Sequence, residues 1–140
     1  MQWQQEFPAS GAPVRVKVGF YYHYGIFVSE DCVIQFGLPD GPTRPAEEIK
    51  VLSSDVYTFL KGGTLEVGVP NRQERKKLRP PAQVIAAAQS RIGQGGYDLL
   101  HNNCEHFMNE CLFGQPDSPT ITSIRNKIRQ KRKNKKELSL

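Results

Sequence analysis

A chain of 140 residues with a formal net charge of +5 suits one domain with a core of its own, and none of its apolar runs approaches a membrane span. Residues 125–136 hold eight of the 19 Lys and Arg, leaving 11 basic residues against 13 acidic ones before them. The positive charge therefore belongs to a tail, which speaks against a nucleic-acid-binding domain surface, and three cysteines without metal-type spacing fit reduced thiols in a cytoplasm.

In chain order, Met1 to Glu6 lacks a basic region followed by an apolar stretch, so no signal peptide is expected. Val14 to Val18 alternates with period two and predicts a strand. Phe20 to Val28, aromatic and β-branched, predicts a second, and Asp31 to Phe36 a third, with Ser29, Glu30 and Asp31 as turn formers. Leu38 to Ala46 is rich in Pro and Gly and reads as a loop. Glu48 to Leu52 is a strand candidate, and Ser53 or Ser54 can cap a short helix through Leu60. Leu65 to Val69 is another strand candidate, and the charged stretch from Asn71 to Arg79 reads as a solvated connection. Pro80-Pro81 opens a helix with Val84, Ile85, Ala88 and Ile92 on one face. Gly95-Gly96 turns the chain toward a final helix from about Cys104 to Phe113, whose Phe107, Met108, Cys111 and Leu112 can face the core. Pro116 to Pro119 marks a boundary, giving a body over residues 1–115 and a basic tail over 116–140. In that tail Ile121, Ile124 and Ile128 fall at helical spacing, so a solvated tail, an amphipathic helix on an anionic membrane and, least favoured, a nucleic-acid contact are open.

Register decides which side chains share a face, because a one-residue slip flips them all. A three-residue loop pairs Val28 with Cys32, Ile26 with Ile34 and Tyr24 with Phe36, an apolar face for the core. The opposite face then carries His23, Gly25, Phe27, Val33 and Gln35, with Gln35 opposite Gly25 and diagonal to His23. A two-residue turn would instead put Gln35 unpaired on the core face, at a cost. Cys32 is left with a packing role.

Cys104 follows two asparagines, either of which can cap its helix. The N–H groups and dipole of a first turn favour an anion, so a thiolate there is stabilised and a lowered pKa is expected. Cys104 and Cys111 lie roughly 10 Å apart on one helix, too far for a disulfide. A thiol nucleophile needs a base. His106 lies roughly 200° around the helix from Cys104 and points away, which suits a buried hydrogen bond that pins the helix. His101 reads as a loop residue. His23 shares a face with Gln35, whose amide oxygen can orient an imidazole, as in Cys–His–amide thiol hydrolases.

Tyr22-His23-Tyr24-Gly25-Ile26-Phe27-Val28, Val33-Ile34-Gln35-Phe36 and Asn103-Cys104-Glu105-His106-Phe107 closely resemble the lecithin retinol acyltransferase family, which includes the phospholipase A/acyltransferases. The resemblance runs from about Val14 to Gly114, and the chain looks most like a small bacterial or viral member. It implies an α+β, circularly permuted papain-like fold, with an antiparallel sheet packed on helices and the cysteine at a helix N-terminus. It implies Cys104 as nucleophile on an ester or amide carbonyl and His23 as base. An acyl-cysteine thioester would form and be resolved by water or by an acceptor. No cofactor or metal is implied. Gln35 departs from the histidine usual in the family; it can orient His23 but cannot share a charge. Tyr21, on the same strand face as His23, and the Cys104 N–H are candidate oxyanion donors.

The leading expectation is thus a thiol acyltransferase or acyl hydrolase acting on phospholipid or another acyl donor, cytoplasmic and held peripherally on anionic membranes by its basic tail. Two rival readings are a cysteine amidase or peptidase, against which the lack of an export signal counts, and a catalytically weak interaction or membrane-remodelling module.

Overall fold

A computed structural model describes residues 1–40 and 43–114. Its strands are β1 (Gln2–Gln4), β2 (Pro13–Val18), β3 (Tyr21–Ser29), β4 (Cys32–Phe36), β5 (Val51–Ser54) and β6 (Glu66–Val69). Its helices are α1 (Val56–Leu60), α2 (Arg72–Lys77), α3 (Pro81–Ser90) and α4 (Cys104–Phe113). The strands form one antiparallel sheet in the order β1-β6-β2-β3-β4-β5. The expected α+β class, with a sheet on helices and Cys104 opening a helix, is the observed one.

The β3–β4 hairpin pairs Gly25 with Gln35, Ile26 with Ile34 and Phe27 with Val33, as the apolar pattern requires. The turn differs from the expected three-residue loop. Ser29 pairs with Cys32 across a two-residue turn, and a bulge between Phe27 and Ser29 absorbs the extra residue. The bulge supplies the offset that the longer loop was expected to supply. Gln35 therefore avoids the apolar core face despite the short turn.

The two faces of the hairpin pack into two separate cores. Ile26, Ile34 and Phe36 meet Val84 and Ala88 of α3 and Phe107, Met108, Cys111 and Leu112 of α4. The four α4 residues assigned to the core are all buried. Gly114, at φ 76°, closes α4 in the left-handed conformation that glycine adopts without strain. On the other face Val14, Val16, Phe27 and Val33 pack against Val56 and Phe59 of α1. His23 and Gln35 belong to this second face and are buried in it.

Several local expectations are corrected. β5 starts at Val51 rather than Glu48, because Ala46–Glu48 makes a 3-10 turn. The cap of α1 is Asp55, whose carboxylate accepts from Thr58 N–H at 2.7 Å, while Ser53 and Ser54 stay in the strand. The charged connection after Asn71 is helical, because Asn71 and Glu74 cap each other's backbone N–H groups in a capping box. Ile92 lies past the end of α3 and is exposed rather than facing the core. The tail assigned to residues 116–140 lies outside the described residues.

Gly25 is a tight point of the second core. A Cβ there would sit 3.0 Å from Phe59 Cε2 and 3.1 Å from both the Ile34 carbonyl and Val33 Cγ1. Because interiors resist added volume, Gly25→Ala is expected to lower unfolding free energy by about 1–3 kcal/mol. Chemical denaturation measures this; an unchanged midpoint would mean that Phe59 yields freely.

Candidate active site

His23 sits in the middle of β3, and Gln35 one strand over on β4. His23 Nε2 and Gln35 Oε1 are 2.9 Å apart. The amide nitrogen of Gln35 donates to Ser54 Oγ at 2.8 Å and more weakly to the Val33 carbonyl at 3.4 Å. Ser54 Oγ donates in turn to the Asp55 carbonyl at 2.9 Å. With both amide hydrogens directed at acceptors, Gln35 Oε1 is left to accept, which favours the tautomer with the proton on Nε2 of His23. The ring of Phe59 covers the imidazole, with centroids 5.3 Å apart.

Cys104 opens α4, capped by Asn103, whose side-chain oxygen accepts from the N–H groups of Glu105 and His106, both at 3.0 Å. The Cys104 N–H is the first-turn donor that this cap does not take. The cysteine packs against the first core, beside Tyr24. The Tyr24 backbone N–H donates toward the sulfur, and the Tyr24 hydroxyl is held by Glu105. The helix start is thus fastened to β3 at the residue next to His23. The pair that touches is His23 with Gln35; Cys104 reaches the same strand one residue on.

The other sequence candidates fall elsewhere. The Tyr21 hydroxyl donates to the Pro39 carbonyl at 2.5 Å, so an oxyanion role would require it to turn. His106 is buried, and its Nδ1 lies 3.1 Å from the Asn103 N–H, which pins the helix start as its position suggested. His101 is exposed and pairs with Asp98 at 3.2 Å. Nothing in the sequence marks Ser54, Tyr24 and Phe59 as site residues. A serine in a strand and two aromatics at core positions look ordinary until the pairing is known. Among the described residues no group of His, Cys, Asp and Glu is arranged to hold a metal. A cleft of about 180 Å³ near Leu78, Val84 and Leu112 lies at the far end of α4, about 12 Å along the helix from Cys104.

The profile of the lecithin retinol acyltransferase family matches residues 6–117, most of the chain. The chain belongs to that family. It is 31% identical over 117 residues to the lecithin retinol acyltransferase of Bos taurus, covering 69% of this chain and 51% of that one. To the protein of that name from Rattus norvegicus it is 27% identical over 139 residues, covering 85% of this chain and 60% of the other. To phospholipase A and acyltransferase 3 of Homo sapiens it is 25% identical over 126 residues, covering 84% and 78%. The chain therefore spans only about half to three-fifths of the lecithin retinol acyltransferases it matches.

In this family member, burial dominates the protonation of both groups. It pushes the Cys104 thiol up to about 11, against the N–H groups of Tyr24, Cys104 and Glu105 that pull it down; the Glu105 charge adds to the rise. The helix start does act as expected, but desolvation outweighs it, so the expected lowered pKa is corrected. Burial likewise brings His23 down to about 4, opposed by the Gln35 hydrogen bond, the Asp40 charge and the Gly37 carbonyl. Cys111 is pushed up to about 12, and Cys32 is also raised, both by burial. Both shifts favour the uncharged forms at neutral pH, a thiol and a neutral imidazole, with Cys104 itself only half-buried.

Two outcomes follow. The folded state disfavours the imidazolium, so as pH falls the unfolded chain takes the proton first. Stability from neutral His23 is complete above pH 6.5 and is lost as pH falls from 6.5 toward about 4, a change of about 3 kcal/mol. Urea unfolding at both ends of that window should show a steeper loss in the wild type than in His23→Gln; equal losses would mean that the imidazole is not desolvated. Alkylation of Cys104 by iodoacetamide should keep rising from pH 7 to 9 without levelling, and should outpace Cys111, which is buried. Peptide mapping by mass spectrometry reads both; a plateau near pH 7 would show a stabilised thiolate instead.

Proposed function

We propose that the protein is a thiol-dependent acyltransferase or acyl hydrolase that forms an acyl-Cys104 thioester, with phospholipid acyl esters as its donors. The observation that carries this reading is the oriented His23–Gln35 pair, 2.9 Å apart, one residue along β3 from the backbone that meets the Cys104 sulfur. Membership of the family supports the acyl chemistry, and the similarity to the human phospholipase A and acyltransferase 3 supports a phospholipid donor.

In this mechanism the Cys104 sulfur attacks the ester carbonyl while its proton passes to Nδ1 of His23. Both groups start neutral, so proton transfer accompanies attack rather than preceding it. The carbonyl electron pair moves onto oxygen, where the Cys104 N–H at the head of α4 can donate to it. Collapse breaks the ester C–O bond, and His23 returns its proton to the leaving alcohol. Water or an acceptor alcohol or amine then resolves the thioester by the same path in reverse. Gln35 keeps the Nε2 proton in place throughout. Among the described residues no helix is long and apolar enough to cross a membrane. The basic residues at 125–136, outside the described residues, supply the charge for attraction to anionic headgroups.

Intact mass measured after incubation with mixed phospholipid vesicles is expected to show one added acyl group, absent from Cys104→Ala and strongly reduced in His23→Ala. An adduct that survives Cys104→Ala would refute the assignment. Hydrolysis of peptide or amide substrates without any lipid adduct would favour the cysteine amidase reading.

A further inference from the structure

Gln35 poses a chemical problem that a histidine would not. The two ends of a side-chain amide are alike in shape, and a flip exchanges oxygen for nitrogen. In the flipped state Nε2 of His23 would face N–H donors, the ring proton would move to Nδ1, and no lone pair would remain there to take a thiol proton.

Two contacts oppose the flip. The Val33 carbonyl can only accept, and Ser54 Oγ has its own hydrogen on the Asp55 carbonyl, so toward Gln35 it too acts as an acceptor. Flipping would set Gln35 Oε1 against both of them. The Val33 contact is long at 3.4 Å, whereas the Ser54 contact is 2.8 Å, so Ser54 carries most of the selection. The register places it there. Val33 pairs with Ser54 and Gln35 with Leu52 across β4 and β5, so Ser54 shares the face of Gln35. The anchor is firm on its far side as well, because the Asp55 carbonyl that holds Ser54 also accepts from the Phe59 N–H, and Phe59 covers the imidazole. The Gly37 carbonyl also faces the ring and is a rival acceptor for its proton.

We propose that Ser54 is a positioning residue that selects the orientation of the Gln35 amide and, through it, the Nε2-protonated tautomer of His23. Its importance for turnover rests on the reading of His23 as the base. The tautomer itself does not, so the two can be tested apart.

The experiment compares the wild type with Ser54→Ala and with the isosteric pair Ser54→Thr and Ser54→Val. The first readout is a nitrogen–proton correlation spectrum of the His23 imidazole, which distinguishes protonated from unprotonated ring nitrogens without any substrate. The wild type and Ser54→Thr are expected to hold the Nε2-protonated form. Ser54→Ala and Ser54→Val are expected to populate the Nδ1-protonated form. The second readout is acyl transfer from phospholipid vesicles, where kcat should fall about three- to tenfold in the Ala and Val variants, the span of one net hydrogen bond. KM should be unchanged and Thr should restore the rate. Retention of the Nε2 tautomer in both Ala and Val variants would overturn the proposal whatever the activity. A changed tautomer with unchanged turnover would uphold it and refute His23 as the base. Ser54 is only partly buried on an edge strand, and the Val variant keeps the volume of Thr, so at least one hydroxyl-free chain is expected to fold.

Discussion

The structure depends on the register of β3 against β4. Because side chains alternate along a strand, one pairing decides at once that Ile26, Ile34 and Phe36 meet the helices and that His23 and Gln35 meet each other. The bulge near Val28 holds that register against a turn that is one residue too short. Slipping the pairing would bury Gln35 in the apolar core and turn Ile34 out of it. Both changes are costly, so packing energy on one face enforces polar geometry on the other.

The same strand joins the two halves of the site. Its odd-numbered residues around His23 serve the core beneath α1, and its even-numbered residues around Tyr24 serve the core beneath α4. Cys104 is tied to the Tyr24 backbone, and the first turn of α4 is tied to the Tyr24 hydroxyl through Glu105. The Cys104 helix start and the His23 imidazole are thereby held by adjacent residues of one strand, not by a flexible loop.

Long, patterned elements were legible in the sequence. The alternation from Val14 to Val18 and the 3.6-residue spacing of Phe107, Met108, Cys111 and Leu112 reflect burial directly, so strand and helix followed. β1 was not legible, because Gln2-Trp3-Gln4 is three residues long and is held by pairing with β6. α2 lacks an apolar stripe, and its helicity comes from the capping box of Asn71 and Glu74. In the site, the diagonal of His23 and Gln35 could be read from alternation, whereas the anchoring by Ser54 could not. A serine before an aspartate reads as a helix cap, and only the pairing of β4 with β5 brings its hydroxyl to Gln35. The protonation of Cys104 is hidden for a related reason: the helix start is visible in sequence, but the desolvation that opposes it is a property of the assembled fold.

That desolvation also bears on why a glutamine is tolerable where the family usually has a histidine. A charged or chargeable partner is most useful where the imidazolium persists. Here burial lowers His23 to about 4, so the resting site is neutral and its imidazole needs orientation more than compensating charge. A buried amide gives orientation without adding an ionisable group to the second core. Its weakness is its near symmetry, and the acceptors at Ser54 and Val33 offset that weakness. The polar row from Asp55 through Ser54 and Gln35 to His23 is therefore self-consistent: each hydrogen of the Ser54 hydroxyl and the Gln35 amide meets an acceptor, and the amide oxygen is left to face Nε2.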